Sequence, residues 1–309
     1  MHPTQLFYRS HPEIVKAVSY AAYEQNETSI KLTTPVQPHE RANITNSLVP
    51  LSHKDYPILL LQCIGESTVQ ASYSRCNVTQ CDLAVEIVKH IGRLTSNLSI
   101  AITSYYSGDT KYVQAKIDEE SSLADLSAFY ESFSNIEIST VSAYIGGEAQ
   151  INILITDVTQ RRIIENEDDI DDNWLQLELP EFIFEDRIAT VAISRGTDLT
   201  IVIGHMDYLT SRTEAEASAG RGGTPGTVLP KFLRYAAQRA PVLNYTHYLT
   251  RIQSATEQRP TQYDPQGIIR EPDNRRGIVQ TCALNNSSDW YNKLDLNRPG
   301  RVRPAPLGV

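Results

Sequence analysis

The chain has 309 residues, 40% of them hydrophobic and 21% charged, with a formal net charge of −9. That length is enough for one large core or two ordinary domains, so no staple is required, and disorder over the whole chain is excluded. The four cysteines, Cys63, Cys76, Cys81 and Cys282, form no C-x-x-C pair and no disulfide framework; free thiols in a reducing compartment are expected, with no metal and no cofactor.

In chain order, residues 1–10 read as an arm and 12–31 as a helix. Pro12 suits a first helical turn, and Ile14, Val15, Val18, Ala21 and Ala22 recur at helical spacing. The N-terminal stretch has no uninterrupted apolar core and no small-residue cleavage site, and no run approaches the ~20 apolar residues that span a bilayer. A cytoplasmic protein follows, not secreted by a signal peptide and without a membrane partner. Pro35, Pro38, Pro50 and Pro57 break up 33–57, so residues 1–57 read as an N-terminal arm, helix and Pro-rich connection.

The core domain is expected over 58–209. Residues 58–64 read as a buried strand and 80–95 as a helix, capped by Thr79, with Leu83, Ile87, Ile91 and Leu94 in one stripe. Residues 99–106 and 111–117 flank Ser107-Gly108-Asp109-Thr110 as a hairpin, and Ser122 starts a short helix lined by Leu123, Leu126, Tyr130 and Phe133. Residues 135–145 and 148–156 flank Gly146-Gly147, where two residues able to take positive φ specify a tight hairpin. Residues 187–194 and 199–207 repeat the pattern around Arg195-Gly196-Thr197-Asp198. Ile151, Ile153 and Ile155 alternate with other residues, which predicts one buried face. The expected fold class is α+β: an antiparallel β-rich central domain of about seven hairpin-connected strands, with flanking helices and extended N- and C-terminal arms. Residues 210–257 follow as a Gly-rich loop with helical character at 228–240 and 246–256, and 258–309 as a basic extended arm.

Among candidate chemical motifs, Ile201-Val202-Ile203-Gly204-His205-Met206-Asp207 is an apolar strand ending in Gly-His-x-Asp. It resembles the first metal-binding motif of the co-catalytic zinc aminopeptidases and deacylases, and Gly220-Arg221-Gly222-Gly223 is similar to a run that follows there. The resemblance implies a metal-dependent hydrolase with His205 as ligand and Asp207 bridging two metals. Thr224-Pro225-Gly226 stands where that family places a further ligand, and its paired Glu-Glu is absent. Asp169-x-Asp171-x-Asn173 has calcium-loop spacing, but Trp174 replaces the required Gly and Pro180 the bidentate Glu, so a solvated acidic loop is expected. The glycine-rich stretch at 220–227 is not followed by G-K-[ST] and is not a phosphate loop. No G-x-S-x-G elbow occurs.

Charge is uneven. Residues 231–309 hold twelve Lys/Arg against six Asp/Glu, a net +6, which leaves −15 on the rest. Such a tail suits an acidic partner surface or nucleic acid. The missing catalytic motif, the Pro-broken arms and the 16 tyrosines against six Phe together suggest a structural, self-assembling protein rather than an enzyme. A viral capsid or coat component of a homo-oligomeric virion is the expected identity; the metal-dependent hydrolase using His205 and Asp207 is the alternative. The expected partners are copies of itself or other subunits of the same assembly and, through the arm, nucleic acid. Arg270, Arg275, Arg276, Arg298, Arg301 and Arg303 are the expected partner-binding residues, since arginine forks match carboxylate and phosphate oxygens two at a time.

Overall fold

Gly196–Gly204 and Ile100–Ser104 are buried at every position, and Ile58–Gln62 at all but the last. Strands buried on both faces belong to a sheet covered by helices on either side. The computed structural model describes residues 4–6, 10–24, 30–37, 56–69, 74–94, 98–121, 136–158, 181–211 and 226–250. The chain divides into two units, Met1–Arg259 and Pro260–Val309, and all described residues lie in the first.

Ten strands are described: β1 Thr4–Leu6, β2 Lys31–Thr33, β3 Ile58–Gln62, β4 Ser67–Val69, β5 Arg75–Asn77, β6 Ile100–Ser104, β7 Ile136–Thr140, β8 Ala149–Ile155, β9 Gly196–Gly204 and β10 Leu243–Asn244. Six of them form one sheet in the order β10-β3-β9-β8-β6-β7. Every pairing in it is parallel, with Ile100 of β6 opposite both Ile136 of β7 and Ile151 of β8. The helices are α1 Pro12–Val18, α2 Val78–Leu94, α3 Ser107–Ser121, α4 Asp186–Ile193, α5 Met206–Ser211 and α6 Val228–Ala237, and residues 245–250 are helical as well. A π turn, Ser19–Tyr23, extends α1, and a 3-10 turn, Glu181–Phe184, precedes α4.

Two cores flank the sheet. On one face, Leu83, Ile87 and Ile91 of α2 and Val113 and Ile117 of α3 pack on Leu59, Ile102, Ile153 and Ile201. On the other, Ile14 and Val18 of α1, Ala189 and Ile193 of α4 and Phe232 of α6 pack on Ile58, Leu60, Leu154 and Val202. After β6 the chain continues into α3 on the first face, whereas Val158 after β8 packs on the second; such a reversal between neighbouring strands marks the edge at which open α/β sheets bind ligands.

The expected antiparallel α+β class is thus corrected to α/β with a parallel sheet. Gly146-Gly147 does not join a hairpin: β7 and β8 lie on opposite sides of β6. Residues 141–146 instead wind back along the sheet, with Ala143 and Tyr144 N–H donating to Thr140 O at 3.0 and 2.9 Å. Gly146 does take a positive φ of 90°. Residues 111–117 and 187–194, read as strands, fall on α3 and α4, because their apolar residues meet a single sheet face at helical spacing. The alternation in β8 misleads for a different reason. Asn152 is fully buried, its Oδ1 accepting from Thr103 Oγ1 at 3.0 Å and its Nδ2 donating to Ala192 O at 3.0 Å. A polar residue at an alternate position marks here a satisfied buried amide, not a wet face. The strand at 58–64 and the helices at 80–95 and 228–240 are present within a few residues, though Asn77 rather than Thr79 accepts from Gln80 N–H at the start of α2. The helix expected at 122–133, the acidic run, the Gly-rich loop up to residue 225 and the basic arm lie outside the described residues.

Candidate functional site

Two polar regions mark the two edges of the sheet. At the N-terminal edge, α4 ends at Ile193 and β9 begins at Gly196, so Ser194 and Arg195 form the corner. The Arg195 guanidinium is half-buried and held in one plane: Nε donates to Val191 O at 2.9 Å, Nη1 to Gly147 O at 2.9 Å and Nη2 to Ser194 Oγ at 3.0 Å. The last-turn carbonyl of α4 carries the negative end of the helix dipole, which favours a cation there. Gly147 belongs to the β7–β8 connection, so one side chain joins two loops of the edge. Tyr144 packs between Ala101 and Ala149 beneath it. Ser10 and His11 close the same edge, Ser10 Oγ donating to Gly196 O at 3.0 Å and His11 N–H to Thr197 O at 2.7 Å.

At the C-terminal edge, the segments beyond β6 and β8 hold a dense buried network. Ser104 ends β6 and donates to Asp109 Oδ2 at 2.6 Å, while Asn77 N–H donates to Asp109 Oδ1 at 2.9 Å. Gln80, on the first turn of α2, donates to Cys63 O, Ile64 O and Val158 O at 2.9–3.1 Å and accepts from Asp157 N–H at 3.0 Å. One amide therefore links the loops after β3 and β8. Asp157 is 2% exposed and has φ 52°, and its carboxylate makes no close hydrogen bond, only the Ser67 hydroxyl and the Arg75 charge opposing its burial. Positive φ is unusual for a residue with a side chain and clusters at functional sites. Burial, reinforced by the charge of Asp109, pushes the Asp157 pKa up to about 8; Asp109 is raised by burial to about 6, opposed by Ser104 and Asn77. Arg75 lies over the Tyr106 ring, 5.9 Å from its centroid, at the same edge.

His205 and Asp207 do not converge on a metal. His205 caps α5, its Nδ1 accepting from Tyr208 N–H at 3.2 Å, and Asp207 Oδ2 accepts from Gln62 Nε2 at 3.0 Å. Among the described residues neither belongs to a group of three potential ligands. Burial lowers the His205 pKa, against the charge of Asp207. Arg270, Arg275, Arg276, Arg298, Arg301 and Arg303 lie outside the described residues.

The sequence reading missed Arg195, Asp109 and Asp157. In sequence Arg195 reads as part of a hairpin turn, although Ile188, Val191 and Ala192 before it show helical spacing. No local signal marks the two aspartates, which lie 48 positions apart in the chain and meet only through the sheet.

A family model described as "AAA domain" matches residues 4–207. No curated protein matches the chain. Among the described residues, no helix is long and apolar enough to cross a membrane. The family match overturns the expected self-assembling capsid or coat protein and the view that the chain is no enzyme; it equally displaces the zinc hydrolase. The cues behind the assembly reading were bulk properties, and Tyr105, Tyr106, Tyr144 and Tyr248 are buried in this fold rather than offered at an interface. With well over half of its length matched and a parallel sheet covered on both faces, the chain belongs to the AAA domain family.

Proposed function

We propose that the protein is a helicase-like NTPase module in which Arg195 faces the phosphates of a nucleoside triphosphate. The observation that carries this reading is the AAA family match over residues 4–207. Phosphoryl transfer needs little covalent chemistry from the protein: charge developing on the transferred group must be met by fixed cations. A guanidinium held by Val191, Ser194 and Gly147 meets that need, because its plane is set before substrate arrives. The sequence has no G-x-x-x-x-G-K-[ST], so phosphate contacts from this chain rest on fixed cations such as Arg195 rather than on that loop. Three buried free thiols among the described residues support a reducing, cytoplasmic setting.

The test is equilibrium binding of magnesium–ATP and AMP to the full-length protein, with Arg195→Ala as comparison. ATP is expected to bind more tightly than AMP, and the variant to lose at least about tenfold in ATP affinity while AMP is unaffected, as removal of a phosphate-paired guanidinium requires. The absence of any ATP binding at millimolar concentration, or equal binding by the variant, overturns the reading.

A further inference from the structure

We propose that Cys76, Cys81 and Asp109 form a structural binding site for a thiophilic divalent metal ion of the zinc class. Cys76 lies in β5, Cys81 in the first turn of α2 and Asp109 in the first turn of α3. All three are fully buried, and one ligand atom from each lies within 4.8 Å of the others. Cys81 Sγ is 3.3 Å from Asp109 Oδ1. A tetrahedral zinc with Zn–S of about 2.3 Å and Zn–O of about 2.0 Å separates those two ligand atoms by about 3.5 Å. The pair is therefore spaced for a shared metal before any adjustment.

The surroundings fit as well. A ligating carboxylate is ordinarily fixed by hydrogen bonds of its own, and Asp109 receives them from Asn77 N–H and Ser104 Oγ. Asp157 supplies an independent observation. Its carboxylate is buried beside that of Asp109, with only the Ser67 hydroxyl and the more distant Arg75 charge to offset it and no close hydrogen bond, and a divalent cation held by Asp109 compensates both. Two sulfurs and an oxygen select zinc over magnesium or calcium, which take oxygen ligands alone. Three protein ligands leave one tetrahedral position to a further donor; because all three are fully buried and come from β5, α2 and α3, the role argued for the ion is to pin the N-terminal turns of α2 and α3 to β5. The Cys76-x4-Cys81 spacing alone gave no such reading, because the third ligand arrives from the next helix.

The experiment uses the full-length protein purified under reducing conditions. Zinc is measured by elemental analysis; the chelator-treated protein is then titrated with cobalt(II) and followed by absorption. One equivalent of metal is expected, with a thiolate-to-cobalt charge-transfer band and the visible bands of a tetrahedral ion. Cys76→Ser, Cys81→Ser and Asp109→Asn should each weaken cobalt binding by more than about tenfold, since loss even of an outer partner costs that much. Cys63→Ser, which removes a buried thiol outside the cluster, should leave binding intact. A cobalt spectrum of the wild-type protein without a thiolate band overturns the proposal, whether or not the variants fold. So does metal that survives the Cys76 and Cys81 substitutions, or a Cys76–Cys81 disulfide in protein prepared without air. None of these readouts depends on nucleotide, so failure here leaves the NTPase reading standing, and the converse.

Discussion

Among the described residues, two histidines cap helices through an acceptor nitrogen. His11 Nδ1 accepts from Glu13 N–H at 3.1 Å and His205 Nδ1 from Tyr208 N–H. Protonation removes the lone pair each cap uses, and burial lowers both pKa values below the ordinary 6.5. The folded protein therefore binds fewer protons than the unfolded chain just below that value, so this stability is complete above 6.5 and declines as pH falls through the lowered pKa values. Taken alone, this contribution lowers Tm between about pH 7 and about pH 5, against the raised carboxyls of Asp157 and Asp109, which add stability as pH falls through the same range; it is read by circular dichroism as the difference between wild type and a His205 variant. His205→Asn, which keeps a cap without a titrating group, should flatten part of that slope, and His205→Ala should cost about 1 kcal/mol at neutral pH. An unchanged slope in His205→Asn would show that the cap does not titrate. Asn152 carries a larger share. Replacing it with Ala strips Thr103 Oγ1 and Ala192 O of their partner inside the sheet and should cost about 2–3 kcal/mol by urea unfolding.

At the level of elements, the β7–β8 connection separates two glycines that look alike in sequence. Gly146 has φ 90° and open space around a notional Cβ, whereas a Cβ on Gly147 would press on the Tyr144 ring. Gly146→Ala should cost about 1 kcal/mol from backbone strain alone. Gly147→Ala should cost about 2 kcal/mol or more, because Tyr144 is packed between Ala101 and Ala149 and has little room to give. Equal effects in chemical unfolding would mean that the Tyr144 ring is not held there. The strands at 58–62, 100–104 and 196–204 were legible because unbroken Ile, Leu and Val runs are rare outside cores. Their direction was not. A short apolar run carries no mark of parallel or antiparallel pairing, and Ser107-Gly108-Asp109-Thr110 reads as a turn just as readily as the start of α3.

For the whole molecule, the charge split between the −15 body and the +6 segment from residue 231 onward is best tested against nucleic acid. We expect truncation after Gln258, which removes Arg270, Arg275, Arg276, Arg298, Arg301 and Arg303, to weaken binding of single-stranded oligonucleotides measured by fluorescence anisotropy. The loss should be greatest at low salt, since screening shortens from about 10 Å at 0.1 M to about 3 Å at 1 M. Each exposed arginine contributes only about 0–1 kcal/mol, so single substitutions should do little. Equal binding by the truncated and full chains at both salts would remove the tail from this role.

The sequence by itself determined where the apolar runs lie, the helical stripe of Leu83, Ile87 and Ile91, and the exclusion of a disulfide framework. Those properties are set by neighbours within one or two turns of chain. Only the tertiary structure decided that β6 and β8 run side by side, that Asn152 is satisfied within the sheet, and that Arg195 ends up against Gly147. It alone brought Asp109 to Cys76 and Cys81 and left Asp157 buried beside them. The physical reason is that parallel strands pair only through crossovers, so the partners that define each site come from segments tens of residues apart, and no local pattern records which segments those are.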